Sequence, residues 1–143
     1  MTVAAILKSK GDRVATTRPD ATIETVVHRL KLEGIGALVV SEDGRRVAGI
    51  ISERDIVRGL AEHGEALLAM KASELMTTGV VTCEPDTTVN QVMARMTRQR
   101  IRHVPVVVDG RLGGIVSIGD VVKHRLDEME TEVRVLRDYI TAH

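Results

Sequence analysis

The chain has 143 residues, 43% of them apolar, with no Phe or Trp and one Tyr, so a single domain's core must be built from aliphatic side chains. Twenty basic residues balance twenty acidic ones, which removes the overall attraction to phosphate backbones that most nucleic-acid binders use. The lone Cys83 excludes an intramolecular disulfide, and with no signal peptide or membrane-length apolar run in view the sequence reads as soluble and cytoplasmic.

In chain order, a short lead (Val3 to Ser9) precedes an extended stretch, Val14 to Thr17, that ends at Pro19. Asp20 and Thr22 stand at a helix cap, and Ile23, Val26, Val27 and Leu30 follow at helical spacing until Gly34 stops them. Ala37 to Ser41 reads as a buried strand, Glu42 to Gly44 as a turn, and Val47 to Ile51 as a second strand antiparallel to the first. A helix then starts near Asp55 and fades at His63 and Gly64, with a partly helical connection over residues 65–79.

The same script returns. Val80 to Cys83 is extended, Val89, Val92, Met93 and Met96 lie on a helix, and Val104 to Val108 and Leu112 to Val116 flank an Asp109-Gly110 turn. The correspondence is a repeat with a shift of 66: Pro19, Asp20, Thr22, Val26 and Arg29 recur as Pro85, Asp86, Thr88, Val92 and Arg95. After a one-residue deletion, Gly49, Ile50, Ser52 and Asp55 recur as Gly114, Ile115, Ser117 and Asp120.

Two copies of one unit, each with an apolar face it cannot bury alone, imply an α+β module of strand-helix-strand-strand-helix repeats about a pseudo-twofold axis. The expected division is 1–64 for the first repeat, 65–79 for the linker and 80–125 for the second, whose lead-in starts near 72. Residues 126–143 are a helical extension. Along it Val122, Leu126, Met129, Val133, Leu136 and Ile140 are spaced by fours and threes, the stripe of a coiled coil, which points to a homodimer. The other reading folds that helix back over its own sheets.

Ser52 with Asp55, and Ser117 with Asp120, stand where a strand gives way to a helix. The unpaired N–H groups and positive dipole end of such a terminus suit a phosphate, and a first-turn carboxylate can accept both hydroxyls of a ribose. Each is equally an ordinary helix cap. On the arrangement that the family resemblance given below implies, Arg54, Arg102 and His103 gather toward Asp55, whereas Ile118, Gly119, Gly36 and Ala37 are their counterparts near Asp120. Phosphate is therefore expected to sit more tightly on the Asp55 side. His103 also has a plain reading as a structural hydrogen-bonder, and His28, His63, His124 and His143 read as surface residues.

The doubled motif, Gly-Ile-Ile-Ser-Glu-Arg-Asp at 49–55 and Gly-Ile-Val-Ser-Ile-Gly-Asp at 114–120, resembles the cystathionine-beta-synthase (CBS) domain, found in tandem as a Bateman module. The segment Ile101-Arg102-His103-Val104-Pro105-Val106 is similar to that family's pre-strand motif. The resemblance covers about residues 3–125. It implies a regulatory module rather than an enzyme, binding AMP, ADP, ATP, NAD(H) or S-adenosylmethionine between the repeats, with no required cofactor and an unseen protein partner.

It also implies two sites. Ser52, Arg54 and Asp55 would be joined by Thr77, Val81, Ile101, Arg102, His103 and Pro105. Ser117, Gly119 and Asp120 would be joined by Lys8, Val14, Ile35, Gly36 and Ala37. The first repeat departs from the family pattern at Val39, where a Pro is usual, and at Gly36-Ala37, where a polar pair is usual. An enzyme is disfavoured because no catalytic triad, metal motif or complete glycine fingerprint is present. Arg95, Arg98, Arg100 and Arg102 form a basic run that lacks the aromatic residues of a nucleic-acid binder.

Overall fold

The computed structural model describes residues 1–142. The first half contains β1 (Thr16–Thr17), α2 (Ile23–Glu33), β2 (Ala37–Val40), β3 (Gly49–Ser52) and α3 (Glu53–His63), preceded by α1 (Val3–Lys10). A 3-10 turn (Gly64–Ala69) and the short α4 (Ala72–Leu75) lead to α5 (Val89–Gln99), β4 (His103–Val108), β5 (Arg111–Ser117) and α6 (Ile118–Ala142). The architecture is the α+β repeat pair expected from the sequence.

The first sheet runs β1-β2-β3, with β1 parallel and β3 antiparallel to β2, and the second pairs β4 with β5. The expected strand at Val80 to Cys83 contracts to a single parallel bridge, Cys83 to Val106. The hairpin loops differ too. Asp109 and Gly110 both have positive φ, 51° and 76°, as a two-residue type I′ turn requires. In the first half β3 begins only at Gly49, and the longer loop is tied by Asp43, whose Oδ1 accepts from Arg45 N at 2.8 Å and Arg46 N at 3.0 Å. Those backbone hydrogen bonds hold its carboxyl down at about 2.

Helix termini follow the sequence signals. Thr22 and Thr88 accept from Thr25 N and Gln91 N, and Gly34 ends α2 in the left-handed region at φ 63°. Its counterpart ending α5 is Arg100 at φ 55°, a conformation that costs a side-chain-bearing residue about 1 kcal/mol. Arg29 and Arg95 do the same work in the two halves: each donates to the carbonyl of the extended lead, Thr16 O for Arg29 and Thr82 O for Arg95. Arg95 is thus part of the framework and not of a free basic surface.

There are two cores, and the lead segments are exchanged between them. Ile23, Val26, Leu30, Leu38, Val40 and Ile51 are completed by Leu67 and Ala72 from the connection. Val89, Val92, Met96, Val104, Val106, Val116 and Val121 are completed by Val3 and Ile6 of α1, which the sequence reading grouped with the first repeat. Matching backbone bonds dock the two leads: Ala72 N to Ala21 O and Ser73 N to Pro19 O, against Val3 N to Thr87 O and Ala4 N to Pro85 O. Cys83 is buried in the second core, which pushes its thiol up to about 11 and keeps it protonated. Among the described residues no helix is long and apolar enough to cross a membrane.

Candidate functional site

Ser117 closes β5 and Asp120 opens α6. Asp120 Oδ2 accepts from Ser117 N at 2.9 Å, and Asp120 N donates to Ser117 Oγ at 3.2 Å. The same pair in the first half, Ser52 and Asp55, is closed by Ser52 N to Asp55 Oδ2 at 2.8 Å and Asp55 N to Ser52 Oγ at 3.4 Å. Both serines therefore cap their helices. The first N–H of each helix is also used, Glu53 N by Gly36 O at 3.0 Å and Ile118 N by Arg102 O at 2.8 Å. These two bonds tie the start of each returning helix to the residue that enters the first strand of its hairpin, β2 or β4.

The halves diverge in what meets the carboxylate. Asp55 Oδ1 accepts from Thr77 Oγ1 at 3.2 Å, and Thr77 is held there by paired backbone bonds with Ile50. Asp120 Oδ2 instead receives Lys10 Nζ at 2.6 Å, and Lys10 also donates to Ile115 O at 2.9 Å. The ion pair is largely sheltered, with side-chain exposures of 31% and 23%. Burial pushes the Asp120 carboxyl up, but the Lys10 and Ser117 hydrogen bonds and the lysine charge outweigh it and hold the group below its usual range.

Around Asp120 lies a cleft of about 510 Å³, lined from both repeats. Ile35, Gly36 and Ala37 come from the first half, and Ser117, Asp120 and Ile115 from the second. The lead contributes Lys10, Arg13 and Ala15. Arg13 reaches Glu33 on the rim at 3.1 Å, and Glu33 is held on its other side by Arg29 at 3.1 Å. Aliphatic walls, two carboxylates and two long cations thus share one opening.

His103 also lines this cleft, not the Asp55 side to which the sequence reading assigned it. Its place matches that of Ala37, which also lines the cleft: His103 pairs directly with Ser117 as Ala37 does with Ser52, here with a one-residue slip in the β4–β5 ladder between Val106 and Val107. Without that bulge Ser117 would oppose Arg102, because a one-residue slip exchanges the faces of a strand. His103 then comes so near Gly36 that a Cβ there would be 3.0 Å from its Cε1. Burial lowers the imidazole pKa, partly offset by the charges of Glu53 and Asp120, so the ring is neutral near pH 7.

The expected cationic cluster at Asp55 is correspondingly dispersed. Arg54 donates to Arg100 O at 2.6 Å, Arg102 is exposed, and His103 is on the other side. Ile101 packs against the second core, Val81 is half-buried, and Pro105 is buried within β4 with its carbonyl accepting from Cys83 N. On the Asp120 side, Lys8 is exposed, Gly119 is on the outer turn of α6, and the cleft takes Ala15 rather than Val14. The sequence reading took Lys8 from the family resemblance and missed Lys10, the last residue of α1, whose ammonium reaches Asp120. The repeat shift places Gly11 opposite Thr77, one residue from the answer.

His28 and His63 are exposed, as read from the sequence. His124 is not a surface residue: its side chain is 15% exposed, with Nε2 3.2 Å from Glu128 Oε1. His143 lies outside the described residues.

Comparison with known proteins agrees with this fold. The family model described as the CBS domain matches twice, over residues 7–62 and 72–127. The mitochondrial CBS domain-containing protein CBSX3 of Arabidopsis thaliana is 37% identical, over 97% of this chain and 71% of its own length. A crystal structure of a CBS-domain containing protein from Agrobacterium tumefaciens is 45% identical with a TM-score of 0.84, covering 87% of this chain and 92% of that one. The CBS domain pair of protein MJ0100, solved with 5′-methylthioadenosine and S-adenosyl-L-methionine, is 28% identical with a TM-score of 0.77 over 86% of this chain and 98% of that one.

Proposed function

The chain belongs to the CBS domain family, with two such domains in tandem, and from that premise we propose that it is a cytoplasmic, non-catalytic regulatory homodimer that binds an adenosine-containing nucleotide beside Asp120. The single observation that carries the reading is the cleft between the repeats, in which the Asp120 carboxylate, two long cations and an aliphatic wall converge, with Glu33 on the rim. The adenine ring packs between Ala15, Ile35, Ala37 and Ile115, since no Phe, Tyr or Trp lines the cleft. The ribose hydroxyls donate to Asp120, and the phosphates meet Lys10 and Arg13 through charge-assisted hydrogen bonds.

Lys10 gives this site a built-in exchange. In the absence of ligand its ammonium satisfies Asp120, and the arriving ribose takes over that carboxylate while the lysine turns to phosphate. His103, kept neutral by burial, adds no charge repulsion to ligands that carry cationic groups, so S-adenosylmethionine remains in the ligand class with AMP, ADP, ATP and NAD(H). Lys10 is on α1, which packs on the second core, while Ile35 and Ala37 belong to the first half. Ligand therefore bridges the halves and shifts their arrangement to the extent that it binds one arrangement better. The output goes to a separate protein partner.

Calorimetric titration with AMP, ATP, NADH and S-adenosylmethionine tests this. Asp120→Ala is expected to weaken the best ligand by roughly 10-fold or more, and Asp55→Ala by much less. Wild-type affinity in Asp120→Ala, or no heat with any of the four, overturns the assignment.

A further inference from the structure

The second half of α6 stands clear of the body of the molecule. Val121 is its one buried residue, every residue from 129 to 142 is exposed, and the stripe Val122, Leu126, Met129, Val133, Leu136 and Ile140 is 49–65% exposed. A helical arm of this length is marginal in water unless its apolar face is covered. The polar side carries six carboxylates against four Lys and Arg from Asp120 to Asp138, opposite in sign to a helix that lies on an anionic lipid surface. The spacing by fours and threes is that of a coiled coil rather than of a broad globular face.

Heptad positions fix the occupant. Leu126, Val133 and Ile140 fall at a, and Val122, Met129 and Leu136 at d. Two of the three a residues are β-branched, and Met129 and Leu136 at d are not, the combination that favours two parallel strands. The flanking e positions are Lys123, Glu130 and Arg137, and the g positions include Arg125 and Glu132. With two helices parallel and in register, each g residue meets the e residue five positions on in the other copy. Arg125 then faces Glu130, and Glu132 faces Arg137, twice each by symmetry.

The antiparallel alternative that overlaps the whole stripe gives the opposite result. It sets Lys123 against Arg137, Glu130 against Glu130 and Glu132 against Glu132, all like-charged. Arg125 is bonded at 2.6 Å to Glu128 in its own chain, but it is 43% exposed, and such a surface pair exchanges partners at little cost.

We infer that α6 pairs with α6 of a second copy as a parallel, in-register coiled coil over residues 122–140, which sets the two second repeats side by side. This rests on the homodimer named above and adds its orientation and the helix that makes it.

The test uses the full chain with Cys83→Ser, so that introduced thiols are the only ones. Leu136→Cys should form a disulfide-linked dimer rapidly on mild oxidation, because position 136 faces 136 in the parallel pair. Light scattering should show a dimer that Met129→Asp dissociates, with a rise in dissociation constant of roughly 100-fold. Far-UV circular dichroism of Met129→Asp checks that the two repeats stay folded. A monomer at high micromolar concentration overturns both the homodimer and the inference. A dimer in which Leu136→Cys cross-links only to a Leu126→Cys chain, or one that Met129→Asp leaves intact, overturns the inference alone. Nucleotide titration reports independently on the cleft.

Discussion

Asp55 and Asp120 occupy the same place in two copies of one unit, yet one carboxylate is met by a hydroxyl and the other by an ammonium. The motif residues do not make that difference; Ser52 and Asp55 bond to each other much as Ser117 and Asp120 do. It comes from the leads. An extended segment at Thr77 pairs with Ile50, while the end of helix α1 passes Ile115, and each lead is admitted by a glycine, Gly49 or Gly114. Repeated motifs thus build equal frames, and the non-repeated segments laid against them make the frames chemically distinct.

The largest effect that would break this comparison is expected at those glycines. A Cβ at Gly49 would lie 2.5 Å from Met76 Sδ and 2.9 Å from the Thr77 carbonyl, whereas one at Gly114 would meet only the end of Leu7, at 2.7 Å. Backbone cannot rotate aside as a leucine tip can. Gly49→Ala should cost about 2–3 kcal/mol and Gly114→Ala about 1 kcal/mol in urea unfolding. Equal losses would mean that the two leads are held alike.

Next comes the pair Lys10→Met and Thr77→Val. Removing the lysine leaves a sheltered carboxylate without its cation and should cost about 1–2 kcal/mol at neutral pH, against about 0.5–1 kcal/mol for Thr77→Val. The Asp120 carboxyl titrates below its unfolded value in the folded protein. Its stabilisation is therefore complete above about pH 4 and lost as pH falls through the lower folded value. The Lys10→Met deficit should fade over that same window in unfolding curves recorded at a series of pH values.

His103 sharpens the contrast at milder pH. Burial lowers its folded pKa, so below about pH 6.5 the unfolded chain takes up a proton that the folded one resists. Stability is full above that pH and declines as pH falls toward the folded value. His103→Gln should flatten the decline, and an unchanged slope would remove the buried neutral ring from the account. Smallest is the helix-end comparison: Arg100→Gly should stabilise by about 0.5–1 kcal/mol by relieving the left-handed conformation that Gly34 adopts freely. Thermal unfolding reads that gain.

What the sequence determined alone is what repeats or is local. The shift of 66 shows two units, helical spacing and caps place α2 and α5, Asp109-Gly110 sets a two-residue hairpin, and the Ser and Asp pairs mark the two helix starts. Apart from the repeat, which is read by aligning the chain with itself, these depend on residues within one turn or one hairpin of each other. Only the tertiary structure decided which lead covers which core, that Lys10 rather than Lys8 reaches Asp120, and that His103, in a ladder with a one-residue slip, pairs with Ser117 and lines the Asp120 cleft. Each of those depends on contacts between segments up to 110 residues apart, or on a bulge whose position no local propensity marks, so the composition of the cleft was settled by packing.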